Sequence, residues 1–571
     1  MGTTALNADV LLHVFHAVAS NEPPSHLPIP DLAYPRMRES LHLPFKTLEE
    51  RLGWVRLGHV SHVWRETLLS AQTLWADHIG TLPAGVDEML ARSGPTAPLS
   101  LHLPLWTTRS PIIRHLAAVL QSHSGTLPRR LRSVTIWDPC PVIEDSPAFR
   151  LSRDRRVPIS TSMISLMNTL STVRYSSNNN DIFPFSALGH ILCEAELPIL
   201  DSLGLFQHRP SWSAPGPVHA RNLHHLHLNK CFITFPISNT LVSISITATS
   251  WQRARQHADG MIPLVEVLEV VERSAATLQR LELSDGVIAL PPDFPQSQIT
   301  ANTNDPVRRI NLPCLKVLKV HELAPLIWWL LSCLQYSRNA ATYLTIRRVD
   351  PGLDNHLAVR AALRKYSHFH FIAMRFRDIY SEDHAKFELF RLPTDTGVGM
   401  QSPTRFYVSE SSLFLSVSLE SRSAEDQMAN ATLVHAFAKE LGAAGMTVKQ
   451  LAVNVADPSE NHTAIRAIKY ASKVLDIYLE TNASFFLDVA YALRRHMDKH
   501  GPYRKICLIA GEEPKAYTKL GMMVLVFGQA RLDATVLHVD RKFETMVAGE
   551  EMPSLLKQLE AIFREVIVSD F

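Results

Sequence analysis

Over the first 80 residues apolar positions recur at three- and four-residue spacing, which predicts a set of short helices. In 6–20, Val10, Val14 and Ala17 share a stripe with Leu11 and Phe15 beside it. Asn7 and Asp9 stand where an N-cap and a first-turn acid belong. Pro23, Pro24, Pro28, Pro30 and Pro35 forbid a long helix after that, so about 21–46 reads as a proline-rich insertion. Helical spacing returns near Thr47 and runs to about Ser70. Trp54, Leu57, Ser61, Trp64 and Leu68 form one stripe there, with Val60 adjacent. Leu74, Trp75 and Ile79 predict one more short helix, closed by Pro83 and Gly85.

From about residue 86 a helix-like stretch, a short strand-like run and a Pro- or Ser-rich turn alternate. Helices are expected at Pro111–Gln121, Met261–Ser274, Pro325–Tyr336, around Phe486–Met497 and over Ser554–Val568. Strands are expected at Leu131–Trp137, Leu278–Leu283, Tyr343–Ile346 and Ile506–Ile509. The strand-like runs share the form Leu-x-x-Leu-x-Leu. It is strict at Leu200/Leu203/Leu205, Leu223/Leu226/Leu228 and Leu278/Leu281/Leu283, and nearly so at Leu315/Leu318/Val320. Looser versions start at Leu131, Leu241, Ala341, Phe369, Phe414, Val448, Tyr503 and Ala534. Loose matches recur by chance in so apolar a chain, so the strict ones carry the argument. The run from Leu223 continues to Cys231 and Ile233, the fuller pattern of a leucine-rich repeat. One strand with a returning helix cannot bury its own apolar face, so neighbours must stack. The expected fold is α/β: a small helical N-terminus, then an irregular leucine-rich solenoid with a curved parallel sheet over 81–571. The array either runs continuously to Phe571 or breaks near 397–403. An ordinary α/β domain with parallel strands is the alternative.

Composition narrows the function classes. Hydrophobic residues are 46% and charged residues 20% of the 571, the balance of a folded chain. A net charge of +2 gives no overall footprint for nucleic acid or an anionic membrane. The six cysteines lie far apart with no Cys-x-x-Cys pair, so free thiols are expected. No basic segment with an apolar core opens the chain, and the greasiest stretch, Leu323–Leu334, is too short for a bilayer. A cytoplasmic or nuclear protein is expected. His224, His225 and His227 form the densest histidine group, but no nearby cysteine or carboxylate completes a metal shell. Gly-x-Ser-x-Gly, a Walker A loop and a dinucleotide fingerprint are absent, so neither an enzyme nor a cofactor is expected.

Three N-terminal blocks carry a resemblance. They are Leu6-Asn7-Ala8-Asp9-Val10-Leu11 with Val14-Phe15, then Leu57 through Val60 and Ser61 to Trp64-Arg65, then Leu74-Trp75 with Ile79. Together they resemble an F-box, so 1–80 is identified as an F-box-like helical domain. Leu52-Gly53-Trp54-Val55-Arg56-Leu57 and the later Leu90-Ala91-Arg92-Ser93 are similar to the large F-box families of mushroom-forming fungi. Asn7 stands where the family has proline, and the connection after the first helix is long. The resemblance implies a substrate-recognition subunit of an SCF-type, cullin–RING ubiquitin ligase. Its partners would be a Skp-type adaptor, through it a cullin, and a protein target. It implies adaptor contacts from Leu6, Val10, Leu11, Val14, Leu57, Val60 and Trp64, some of which must also close the domain's own core. On leucine-rich strands the leucines point inward and the intervening residues outward. His225, His227, Arg280, Glu282, Lys319 and Arg347 are therefore the candidate target-binding positions. The other class of reading is a non-ligase leucine-rich scaffold whose F-box has lost adaptor binding.

Overall fold

A computed structural model describes residues 7–22, 52–82, 85–104, 125–137, 195–206, 218–229, 239–247, 262–284, 309–347, 356–366, 371–379, 384–391, 413–420, 446–455, 461–470, 473–481, 483–510, 518–529, 531–546 and 551–569, with a few isolated positions between them. Leu6, most of the proline-rich insertion, most of Pro111–Gln121, Cys231 and the 397–403 segment lie outside the described residues. The chain divides into two compact units, Met1–Leu278 and Gln279–Phe571.

The first unit opens with helix α1 (Ala8–Asn21), where Asn7 accepts a hydrogen bond from the Asp9 amide at 3.3 Å, as an N-cap does. The expected helix over 47–70 is two elements in its described part. A 3-10 helix spans Gly53–His59 and α2 spans His62–Ser70. Gly53 enters at φ 55°, a left-handed conformation that favours glycine. Ser61 is extended and its hydroxyl accepts from the Trp64 amide at 3.2 Å, so the chain restarts as a capped helix. Ser61→Ala should cost about 1 kcal/mol in a urea melt, and an unchanged midpoint would show that the cap adds nothing. Helices α3 (Gln72–Ala76) and α4 (Val86–Arg92) follow.

Strands β1 (Leu99–Pro104), β2 (Leu131–Trp137), β3 (Ser202–Phe206), β4 (His225–Asn229) and β5 (Ser243–Thr247) come next. They pair in chain order, all parallel. A short turn of helix, α5 (Leu127–Arg130), leads into β2. Ile79 bridges to Leu101, which ties the helical segment to the first strand. The leucine motifs set the register. Val134, Leu203, Leu226 and Ile244 align across the strands, as do Ile136, Leu205, Leu228 and Ile246. The leading leucines, Leu200 and Leu223, lie fully buried just before their strands. Strand entry repeats one backbone bond. Asp201 N–H donates to the Arg132 carbonyl, His224 to Asp201 and Val242 to His224, each at 2.8 Å. Thr240 and Thr277 donate their hydroxyls to the Leu223 and Leu241 carbonyls at 3.0 and 2.9 Å. The segment read as a helix from Met261 begins with two strand residues, β6 (Ile262–Pro263), and then forms α6 (Leu264–Arg273).

The second unit continues the same design. Its strands are β7 (Arg280–Ser284), β8 (Ile288–Ala289), β9 (Ile310–Leu312), β10 (Val317–Leu323), β11 (Leu334–Tyr336) and β12 (Ala341–Arg347). Then come β13 (Phe371–Ile379), β14 (His384–Arg391), β15 (Leu413–Glu420), β16 (Thr447–Val455), β17 (Asp476–Thr481), β18 (Lys505–Leu508), β19 (Leu532–Asp540) and β20 (Phe563–Ser569). Helices α7 (Ala324–Cys333), α8 (His356–Lys365), α9 (Asn461–Tyr470), α10 (Ala483–His500), α11 (Thr518–Phe527), α12 (Lys542–Met546) and α13 (Glu551–Ile562) lie between them. Apart from the short β8 and a small β9–β11 pair, the strand order runs β7-β10-β12-β15-β14-β13-β16-β17-β18-β19-β20. Leu451, Ile477, Ile506, Leu537 and Val566 align on one face.

Three expectations need correction here. The sheet is not wholly parallel, because β14 runs antiparallel to both β13 and β15. Only residues 380–383 join β13 to β14, and so short a link permits a hairpin but not a crossover. The expected helix Ser554–Val568 stops at Ile562, and Val566 lies on strand β20. Val566-Ile567-Val568 is a β-branched run, and parallel pairing with β19 outweighs the helical spacing that precedes it. The helix expected over Pro325–Tyr336 ends at Cys333, where Leu334–Tyr336 turns into β11. Mixed α/β architecture built mainly on parallel strands is thus the observed class. No helix among the described residues is long and apolar enough to cross a membrane.

Candidate functional site

The N-terminal helices bury one side and leave another open. On α1, Leu11, Phe15 and Ala19 recur every four residues and are buried, so they form its inner stripe. Phe15 meets the Trp64 ring edge-on at 5.5 Å, which holds α1 against α2. Trp54 packs edge-on against Trp75 at 4.8 Å, and the Trp75 indole N–H donates to the Leu68 carbonyl at 2.8 Å. The Trp54 amide donates to the Glu22 carbonyl at 3.1 Å and Arg56 pairs with Glu22, so the end of α1 is pinned to the 3-10 helix. Gly58 lies so close to Leu68 that an added Cβ would sit 3.3 Å from its Cδ2.

This scaffold sorts the expected adaptor contacts. Val10 and Val60 are exposed, at 46% and 59%. Val14, Leu57 and Trp64 are half-buried. Leu11 is fully buried and belongs to the interior of the helical unit, not to its open surface. Trp75 is interior as well. Two apolar residues that the stripe analysis missed are also exposed, Val63 and Leu69. Val63 lies three residues after Val60, and that spacing was the available signal.

Beneath the helices lies a polar seam. Asp77 pairs with Arg132, whose guanidinium also donates to Ser100 Oγ at 3.1 Å. His102 Nε2 lies 3.1 Å from the Asp77 carbonyl, and its ring is 6.4 Å from that of His78. Burial, then the neighbouring His102, lowers the His78 pKa to about 4, although Asp77 pulls the other way. A neutral His78 is favoured in the fold, whereas the unfolded chain takes up a proton below about pH 6.5. Stability is therefore complete above that pH and is lost as pH falls towards 4. His78→Gln should remove about 1–2 kcal/mol of the loss between pH 7 and pH 5. Equal pH slopes in melts of the two proteins would refute that assignment.

The candidate target-binding residues divide between the units. His225 is exposed and His227 half-buried on β4, on the side away from Leu226 and Leu228. In the second unit Glu282 lies between Arg280 at 2.8 Å and Lys319 at 3.0 Å. Burial pushes the Glu282 carboxyl up, but the hydrogen bonds and charges of Lys319 and Arg280 outweigh it and hold the group below its ordinary range. The Lys319 ammonium also stands 5.8 Å from the Tyr343 ring centre. Arg347 closes β12, and its side chain lies outside the described residues.

The outward face is not open everywhere. Across β16–β19 the residues aligned opposite the aliphatic ladder are Ala452, Tyr478, Cys507 and His538, and all are buried. The expectation that residues between the ladder positions face outward therefore fails there. Lys505 stands 5.4 Å from the Tyr478 ring, and Arg504 forks onto the buried Asp476. Burial pushes the Cys507 thiol up to about 12, which makes it a poor nucleophile. Among the described residues no group of three histidine, cysteine or carboxylate side chains is placed to hold a metal ion. The chain matches no protein-family model and no curated protein.

Proposed function

We propose that the chain is a substrate-recognition subunit of an SCF-type ubiquitin ligase. Its N-terminal helices would dock a Skp-type adaptor and through it a cullin. Its leucine-ladder strands would form a leucine-rich array that presents a protein target. The observation that carries the reading is the exposure of Val10, Val60, Val63 and Leu69 on elements whose other sides are packed on Leu11, Phe15, Trp54 and Trp75. Apolar side chains at helical spacing are what a helix-in-groove contact requires. The ladders support the second half of the reading. Leu203, Leu226 and Ile244 repeat one inward position on successive parallel strands, while His225 stays in solvent. Such a subunit does no chemistry of its own and raises the effective concentration of a target near a ubiquitin-charged enzyme.

The test is co-purification of the full chain with a Skp-type adaptor. A stoichiometric complex is expected. A folded chain that fails to retain the adaptor would leave a protein-interaction scaffold with no ligase role.

A further inference from the structure

We infer that the cleft between α9 and α10 in the second unit binds a nucleoside monophosphate, an assignment independent of the ligase reading. The cleft has a volume of about 590 Å³ and is lined by Lys469 from α9 and by Asp488, Tyr491, Arg495, His496 and Lys499 from α10, among others. That volume lies within the range of small-molecule sites, roughly 300–1,000 Å³.

Its charge is the first observation. Lys469, Arg495 and Lys499 are all exposed, and none has an ion-pair partner among the described residues. Nearby cations are treated differently, with Arg494 paired to Asp498 at 3.1 Å and Arg531 to Asp533 at 2.9 Å. Lys469 and Lys499 sit in the last turns of their helices, where the dipole favours a cation. The dipole fades within one turn, so it does not account for Arg495. Arg495 and Lys499 are four residues apart on one face of α10, with Lys469 on the neighbouring helix. A guanidinium fork flanked by two ammonium groups is the donor set that a phosphate dianion takes.

The second observation is the aromatic lining. Tyr491, 46% exposed, precedes Arg495 by four residues on the same face and offers a ring for stacking. His496, another lining residue, is buried, its ring stacked on Tyr503 with centres 5.1 Å apart and planes 6° from parallel. The stack fixes one imidazole ring of the lining. Along the helix axis Tyr491 is about 6 Å from Arg495 and about 12 Å from Lys499, a span that brackets the distance from base to phosphate in a nucleotide. Asp488, a turn before Tyr491, places a carboxylate at the far end. Cations at one end, a ring between and a carboxylate at the other orient an aromatic phosphate in one direction.

Titration calorimetry of the full chain with AMP at low salt tests the assignment, with inorganic phosphate, adenosine and phenyl phosphate as comparisons. Saturable AMP binding is expected, at least tenfold tighter than any of the three. Arg495→Gln and Tyr491→Ala should each weaken it about tenfold or more, whereas Lys473→Gln, which changes an exposed cation outside the cleft lining, should leave it unchanged. Equal melting midpoints establish that the variants are folded, and Arg495→Lys replaces the glutamine variant if that one melts early. AMP binding no tighter than phosphate or phenyl phosphate overturns the proposal. So does AMP binding that survives both cleft variants.

Discussion

The full chain carrying Val60→Asp and Val63→Asp is expected to lose at least about a hundredfold in affinity for a Skp-type adaptor, close to 2.7 kcal/mol. The reason is the cost of taking a carboxylate out of water into an apolar groove without a partner. The same substitutions should be nearly silent in the free protein. Both valines are at least half exposed, so little packing is lost. Val63 lies in the first turn of α2, just after the Ser61 cap, where an acidic side chain favours the helix dipole. Loss of adaptor with an unchanged melting midpoint therefore reports on the surface alone. Undiminished adaptor capture by the double variant would mean that this ridge is not the docking surface.

The second large effect concerns the ladder. Leu228 is fully buried on β4, with Leu205 and Ile246 as its partners on the flanking strands. Leu228→Ala removes those contacts and leaves a cavity that stiff neighbouring strands cannot close. A loss of about 2–5 kcal/mol is expected in chemical denaturation. On the same strand His225→Ala should change stability by no more than about 0.5 kcal/mol, since His225 stands in solvent. Similar losses from the two variants would contradict the inward–outward division of the strand.

That division was legible in the sequence because three leucines at fixed offsets imply both a strand and its buried face. The looser motifs at Leu131, Leu241, Ala341, Phe369, Phe414, Val448, Tyr503 and Ala534 also fall at strands. Helix ends were harder to read. Leu555, Leu559 and Ile562 continue to Val566 at helical spacing, and only pairing with β19 decides that the chain has become a strand. The break at Ser61 was masked in the same way, because Leu57, Trp64 and Leu68 keep their spacing across it. At the N-terminal surface Val10 and Val60 were legible, but whether Leu11 or Val10 faces inward depends on where Phe15 meets Trp64. The α9–α10 cleft was half visible. Arg495 and Lys499 share a face in the sequence, but Lys469 joins them only once the two helices are packed.

The hairpin inside the second unit bears on the order in which the chain can fold. In the first unit β1 to β5 each pair with the next along the chain, so every addition closes one local loop and the sheet can grow stepwise. In the second unit β12 pairs not with β13 but with β15, and β13 pairs onward with β16. Growth from β12 must wait until β13 and β14 have folded back and β15 has returned beside it. Loop closure grows only slowly in free energy with length, about 0.6 kcal/mol for each doubling, so the finished fold loses little by this route. The rate suffers more, because the β12–β15 pairing cannot reward the chain until the whole excursion is in place. Strands on either side of the hairpin can zip early as separate nuclei, and joining them through β15 is the slow event.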